Sequence, residues 1–306
     1  MQIQILQHLL SGDAFFSGIG ILLLAAVWRN GSWWGHPGFV TILVFLGAVL
    51  VVFSATPLPV SAHLCLIFIT IAWLSLTATT RRRSDPRFEE PFDGPRRSPF
   101  HSVLTFLFVG SWMLAALYEA AWRHLPMQEF STISPLIVIA DSVTAGVDEN
   151  EAVTWPNLLA RDHGLQIVDL SCMGETLASA IQRVQGTTLP EGLVVIELGG
   201  NDVLGTTTVE EFDQQLELLL QLVTQPPREV LMFELPLPPL GNRFGQIQRR
   251  LASKYHVQLI PKCVLAELLL SPDTTLDSIH LTQNGHDRLA RAMWDILSGK
   301  PLTARP

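Results

Sequence analysis

The chain has 306 residues, of which 48% are hydrophobic and 16% charged, and its net charge is −8. The acidic charge excludes nucleic acid as a partner, because phosphate binding needs clustered basic side chains. Residues 31–80 and 98–118 contain no Asp, Glu, Lys or Arg, and such long uncharged stretches exclude a wholly water-soluble protein, whose helices need a polar face.

Four apolar segments in residues 1–130 have the length of membrane-spanning helices, which need roughly 17–25 residues to cross a bilayer core of about 30 Å. The predicted spans are residues 9–28, 38–54, 58–76 and 103–121. The first is the weakest, because Asp13 lies near its start. Its alternative, a cleaved signal peptide, needs a basic segment and a small-residue cleavage site that residues 1–28 lack. We therefore expect an all-α transmembrane region of about four helices over residues 1–130.

The loop at residues 80–99, between the third and fourth predicted spans, predicts the orientation. It contains Arg81, Arg82, Arg83, Arg87, Arg96 and Arg97, whereas the turn at residues 54–59 has no basic residue. The positive-inside rule places an arginine-rich loop in the cytoplasm. The fourth span then leads outward, so we expect a multi-pass protein of the cytoplasmic membrane with residues 131–306 on the periplasmic or extracellular side.

Residues 131–306 have the pattern of an α/β domain. They carry 12 basic and 21 acidic residues, a charge of −9, against 8 and 7 in residues 1–130. Near-continuous apolar runs of strand length alternate with amphipathic helices, which indicates a parallel sheet covered on both faces. The predicted strands are residues 136–140, 166–170, 193–198, 230–235 and 257–260, and the predicted helices are residues 155–161, 176–185, 209–224, 244–255 and 283–297. Functional residues are expected just past the carboxyl ends of the strands.

Polar blocks stand at those positions. Ser142 follows the first strand, Gly174 follows the second, and Asn201 follows the third after two glycines. Asp277 precedes His280 by three residues, a spacing that lets the carboxylate orient the imidazole and stabilise its protonated form. Each block alone has an ordinary alternative, such as an N-cap serine or a turn glycine. Their joint order on one sheet indicates nucleophilic catalysis.

These blocks resemble those of the SGNH (GDSL-type) serine hydrolases, over residues 134–298. The resemblance implies a three-layer α/β/α, flavodoxin-like fold with a five-stranded parallel sheet in the order 2-1-3-4-5. It implies a catalytic triad of Ser142, His280 and Asp277, and an oxyanion hole formed by the N–H groups of Ser142 and Gly174 and the side chain of Asn201. It implies neither a metal nor a cofactor.

One residue departs from that family's pattern. Ala140 stands where the family usually has glycine, and alanine strains the turn if the backbone there needs a positive φ. His286, six residues after His280, is interpreted as a surface or packing residue of the last helix.

The leading functional hypothesis is a membrane-anchored esterase or lipase that hydrolyses acyl esters at the outer face of the membrane. Residues 122–133 alone separate the last span from the first strand, which favours lipid-like esters such as lysophospholipids, or acylated envelope glycans, as substrates. Two alternatives stay open: an acyltransferase that uses the same triad on an envelope glycan or lipid, and a catalytically degenerate module for binding or assembly. The apolar loop at residues 235–241, after the fourth strand, has two open interpretations, the wall of an acyl pocket and a rigid connection, and the substrate-binding residues stay unknown.

Overall fold

A computed structural model describes residues 2–30, 37–82, 99–124, 130–146, 152–225, 228–277 and 279–300. Helices occupy the first part of the chain, and an α/β sheet domain follows them. The helices of the first part are α1 (Gln2–Leu10), α2 (Asp13–Asn30), α3 (Pro37–Phe53), α4 (Val60–Arg82) and α5 (Pro99–Ala121).

Helices α2 to α5 pack as a bundle that is apolar inside and outside. Helix α2 contacts α3 and α5, and α4 contacts α5. Inside the bundle, Trp73 and Phe108 are buried and stack with ring centroids 4.3 Å apart. On its outer surface, Phe68 and Phe106 are largely exposed. A helix that is hydrophobic all round is typical of lipid surroundings or of a large protein core.

A glycine pair brings α2 and α3 close together. A Cβ atom on Gly18 would lie 2.7 Å from the Gly47 carbonyl oxygen, and one on Gly47 would lie 2.8 Å from the Gly18 carbonyl oxygen. Small residues allow this close approach of helix backbones, as they do between membrane helices.

Four spans were predicted, but among the described residues fewer than four helices are long and apolar enough to cross a membrane. Phe100–Ala121 is long and apolar enough to cross a bilayer alone, whereas the apolar helices Gly38–Phe53 and Val60–Ser75 are shorter. Ile3–Leu10 and Asp13–Arg29 reach that length together but meet at 85°. The structure therefore gives one or two candidate spans and supports the four-span prediction only weakly.

The predicted first span, residues 9–28, is not one straight helix. The chain breaks at Ser11–Gly12, where Gly12 has a φ of 82° that ends a right-handed helix. Of the predicted arginine-rich loop at residues 80–99, residues 83–98 lie outside the described residues.

The prediction of a five-stranded parallel sheet is confirmed. Its strands are β1 (Leu136–Ala140), β2 (Ile167–Asp169), β3 (Leu193–Glu197), β4 (Glu229–Phe233) and β5 (Gln258–Ile260), in the order β2-β1-β3-β4-β5 with every pair parallel. Leu136 of β1 is level with Ile167 of β2 and Leu193 of β3.

Helices cover both faces of the sheet and give it three layers. Because successive strand residues point to opposite faces, Ile137 and Ile139 pack towards α8 (Leu177–Gln185), α10 (Val209–Val223) and α11 (Asn242–Tyr255). Leu136 and Val138 pack towards α7 (Trp155–His163), α12 (Lys262–Leu270) and α13 (Gln283–Leu297). Short helices α6 (Ser142–Ala145) and α9 (Gly200–Leu204) follow β1 and β3.

A buried group of charges joins the helical region to the sheet domain. Glu119, near the end of α5, accepts hydrogen bonds from Arg249 at 2.6 and 3.1 Å and from the Lys262 ammonium at 2.6 Å. Arg249 also pairs with Glu234 at 2.6 Å. All four side chains are buried, and we call them the junction cluster.

Apolar and backbone contacts surround the junction cluster. Gln246 of α11 donates a hydrogen bond to the Leu58 carbonyl at 2.6 Å, and Pro57 lies against Gly245. Helix α1 packs on α12. Three separate parts of the helical region therefore hold the sheet domain at the carboxyl ends of β4 and β5.

Candidate functional site

The predicted nucleophile lies at the carboxyl end of β1. Ser142 is buried and begins helix α6, whose N-cap is Asp141. The Asp141 carboxylate accepts the Val143 N–H at 2.9 Å, which fixes the turn. The Ser142 N–H stands in the first turn of this helix, where an N–H has no acceptor within the helix.

Ala140 occupies the last position of β1, level with Glu197 of β3. It is not among the residues with positive φ. Alanine therefore fits this backbone without strain, and the departure from the family's glycine does not distort the turn.

The predicted oxyanion donors follow the strands on either side of β1. Gly174 stands in the turn after β2, with a φ of 70° that suits glycine. Asn201 lies in α9 after β3, and its side-chain amide donates to the Glu175 carbonyl at 2.9 Å and to the Asp141 carboxylate at 3.4 Å. The three predicted donors thus lie on adjacent strand ends, because β2, β1 and β3 are neighbours.

The predicted acid and base lie together before α13. The His280 Nδ1 lies 2.6 Å from the Asp277 carboxylate, which also accepts the His280 backbone N–H at 2.9 Å. These hydrogen bonds lower the pKa of Asp277 to about 2. The carboxylate is therefore ionised at neutral pH and able to orient the imidazole.

An electrostatic interaction links the His280 ring to Asp141, the residue next to the predicted nucleophile. Within the described ranges, however, no hydrogen bond joins the Ser142 hydroxyl to the His280 ring. Catalytic hydrogen bonds are often long without substrate and tighten when it binds. The structure thus pairs Asp277 with His280 and Asn201 with Asp141, and the triad stays a prediction.

A buried carboxyl pair behind Ser142 was missed by the sequence analysis. Glu197, the last residue of β3, is hydrogen-bonded to Asp141, and burial raises the pKa of both groups, that of Glu197 well above its usual range. Thr144 donates to Glu197 at 3.2 Å, and Trp155 donates to Thr144 at 3.0 Å. We infer that Glu197 keeps its proton and that this chain of hydrogen bonds fixes the Ser142 turn. An acidic residue ending an otherwise apolar strand was the signal for it.

His286 lies inside the domain rather than on the helix surface. Its side chain is fully buried, and neither ring nitrogen has a hydrogen-bond partner among the described residues. Burial lowers its pKa to about 4. His286 is therefore a neutral packing residue at neutral pH.

Comparison with known proteins shows what the sheet domain resembles. Residues 141–288 match the GDSL-like Lipase/Acylhydrolase family. Esterase TesA of Pseudomonas aeruginosa is 29% identical over 202 residues, covering 62% of this chain and 100% of the relative. The thioesterase 1/protease 1/lysophospholipase L1 of Escherichia coli K12 is 28% identical over 165 residues, covering 51% of this chain and 79% of the relative.

An arylesterase of Vibrio mimicus is 28% identical over 155 residues, covering 46% of this chain and 76% of the relative. Among solved structures, the crystal structure of TesA covers 53% of this chain and 97% of its own, with 28% identity and a TM-score of 0.46. The relatives are esterases, an arylesterase and thioesterases, consistent with a hydrolase that acts on esters. Residues 141–288 are therefore similar to GDSL-like lipases and acylhydrolases, and the relatives support this similarity.

Proposed function

We propose that the protein is a membrane-anchored serine esterase or lipase that hydrolyses acyl esters with the triad Ser142, His280 and Asp277. The observation that carries this proposal is the 2.6 Å contact between the His280 ring and the ionised Asp277 carboxylate, in a domain whose relatives act on esters. This contact fixes the tautomer that leaves Nε2 of His280 able to take a proton from serine.

In the proposed reaction, the Ser142 hydroxyl attacks the ester carbonyl while His280 takes its proton. The oxyanion accepts hydrogen bonds from the N–H groups of Ser142 and Gly174 and from the Asn201 amide. The Asn201 bond to Asp141 is long at 3.4 Å, so this N–H can turn to the oxyanion at little cost. His280 then gives the proton to the leaving alcohol, and a water molecule releases the acyl group from Ser142 by the same steps.

We further propose that residues 1–130 anchor residues 131–306 at the outer face of the cytoplasmic membrane. Three observations support this placement. The bundle is apolar on its outer surface. Contacts with the sheet domain come from α1, the α3–α4 connection and the end of α5. In the sequence, six arginines stand between the middle of α4 and the start of α5, and the positive-inside rule places such a segment in the cytoplasm.

Two substitutions test the chemistry. Ser142→Ala should abolish hydrolysis of a chromogenic ester and labelling by a fluorophosphonate, and Asn201→Ala should lower turnover by about 10²–10³-fold, as loss of one oxyanion donor does. Ser253→Ala, at an exposed position on α11, is the matched control and should leave both readouts at the wild-type level. Full activity in either site variant would refute the assignment.

A membrane-impermeant fluorophosphonate tests the placement. It should label the full chain in right-side-out vesicles and leave it unlabelled in sealed inside-out vesicles. The opposite pattern would put the domain in the cytoplasm. Adding sugar acceptors to the chromogenic ester assay separates hydrolysis from acyl transfer.

A further inference from the structure

The predicted nucleophile and the contacts with the helical region lie at the same end of the sheet, the carboxyl end of its strands. Glu234 follows β4 and Lys262 follows β5, and both belong to the junction cluster with Glu119 of α5. Because all strands are parallel, Ser142 after β1 lies at this same carboxyl end of the sheet. Strand β1 is two strand positions from β4, or about 10 Å at the usual strand spacing. Glu119, near the end of α5, lies at this end of the sheet, so the predicted nucleophile and the contacts with the helical region are at the same end.

Four exposed apolar side chains stand in the connections between the strands and helices of this domain. Met173, Leu204 and Leu240 come after β2, β3 and β4, and Leu276 lies between α12 and α13; they are exposed to 53%, 70%, 73% and 61%. We call these four residues the apolar rim. Single exposed leucines are ordinary, but members of this rim adjoin Gly174 and Asp277 or lie three residues from Asn201.

Leu240 combines an unfavourable backbone conformation with an exposed apolar side chain. Its φ of 70° is a conformation that leucine rarely adopts and that Asn or Asp tolerates far better. A polar residue would be more stable here in water, both for its backbone and for its exposed side chain. A leucine at this position therefore indicates that its side chain meets an apolar environment.

Helix α1 indicates what that environment is. It lies at 85° to α2, packs on α12 beside β5, and exposes Ile3, Ile5 and Leu6. A short helix that lies across the end of a span and exposes apolar side chains is typical of the membrane interface. Helix α12 begins directly after β5, so α1 packs on a helix that starts at the end of the sheet where the strands lead to the predicted site.

We propose that the apolar rim docks on the outer lipid surface and that the active site takes its acyl ester from an amphiphile held in that leaflet. This proposal rests on the proposed function. Acyl esters of such amphiphiles lie at the boundary between headgroups and hydrocarbon, which is the depth that a shallow apolar rim reaches. Because residues 131–306 carry a charge of −9, an uncharged or zwitterionic surface suits them better than an anionic one.

The test uses the full chain reconstituted in phosphatidylcholine vesicles with two esters of one leaving group. The first is p-nitrophenyl palmitate dissolved in the vesicles, and the second is p-nitrophenyl acetate in the water. The double variant Leu204→Asn and Leu240→Asn should lower the ratio of the palmitate rate to the acetate rate by about tenfold or more, because it removes two apolar contacts with lipid. Leu218→Asn, exposed by 41% on α10 away from the rim, should leave this ratio at the wild-type value.

Two results would overturn the rim proposal. The first is a ratio of palmitate rate to acetate rate in the double variant that is within about twofold, or about 0.4 kcal/mol, of the ratio in Leu218→Asn. The second is no cleavage of the palmitate by the wild type. Failure of the proposed function gives a different result: the wild type cleaves neither ester, or Ser142→Ala cleaves both.

Discussion

Replacing Glu119 by glutamine tests whether the junction cluster holds the two parts of the protein together. The carboxylate accepts three hydrogen bonds of 2.6, 3.1 and 2.6 Å from two buried cations. In Glu119→Gln, Arg249 keeps its pair with Glu234 at 2.6 Å, but the ammonium of Lys262 loses its charged partner while it stays buried. Breaking a buried ion pair on one side costs about 3–5 kcal/mol, and we expect about 3 kcal/mol because the glutamine oxygen still accepts one bond.

The free energy of unfolding is measured by urea titration of the full chain in detergent micelles, with tryptophan fluorescence as the signal. Trp122 is a local reporter, since the Arg249 guanidinium lies 5.0 Å from its ring centroid. The control is the double variant Glu119→Gln and Lys262→Met, which restores charge balance. It should return to within about 1 kcal/mol of the wild type, because neutral replacements of buried ion pairs are well tolerated. If the single variant loses less than about 0.5 kcal/mol, the value typical of a surface substitution, the cluster does not stabilise the junction.

Three further predictions concern other buried groups. Because burial lowers the pKa of His286 from 6.5 to about 4, the unfolded chain binds a proton between these values that the folded protein does not. The free energy of unfolding should therefore fall by up to about 3 kcal/mol as the pH drops from 6.5 to 4. In urea titrations over this pH range, His286→Leu should show a decrease that is smaller by this amount. Glu197→Gln, which keeps a donor towards Asp141, should retain most of the esterase activity. Glu197→Ala should lose about 1–3 kcal/mol of stability, because it removes the buried hydrogen bonds of Glu197 to Asp141 and Thr144; equal urea midpoints for the two variants would contradict this. Gly18→Ala should lose about 1–3 kcal/mol by forcing α2 from α3, whereas Gly20→Ala, which has open space around it, should melt at the wild-type temperature.

The sheet domain was predictable because its signals are local. Each strand is a short apolar run, and the predicted and observed bounds of β1 and α13 are identical. Helix α12 was missed, because a short apolar run after Pro261 does not by itself distinguish a helix from a buried strand. The break at Gly12 was missed for a related reason: hydropathy over a window shows that a segment is apolar but not that it turns by 85°.

The buried charges were not predictable, because their partners are far apart in the chain. Glu119 and Arg249 are separated by 130 positions, and each alone resembles an ordinary surface residue. His286 likewise has the polar side chain of a surface residue, and its complete burial follows from the packing of α13 on the sheet. At the site, the sequence indicated which residues follow which strands, but the Glu197–Asp141 pair depends on the adjacency of β1 and β3.

The junction cluster makes the helical region part of the enzyme's own folding unit. If the chain were cut between α5 and β1, Arg249, Lys262 and Glu234 would face water with one positive charge in excess, and the surface of α11 that now contacts Pro57 would be bare. Composition divides the chain clearly into two parts, but the stability of the sheet domain depends on its contacts with the helical region. A chain without these helices would need other partners for Arg249 and Lys262 at the ends of β4 and β5.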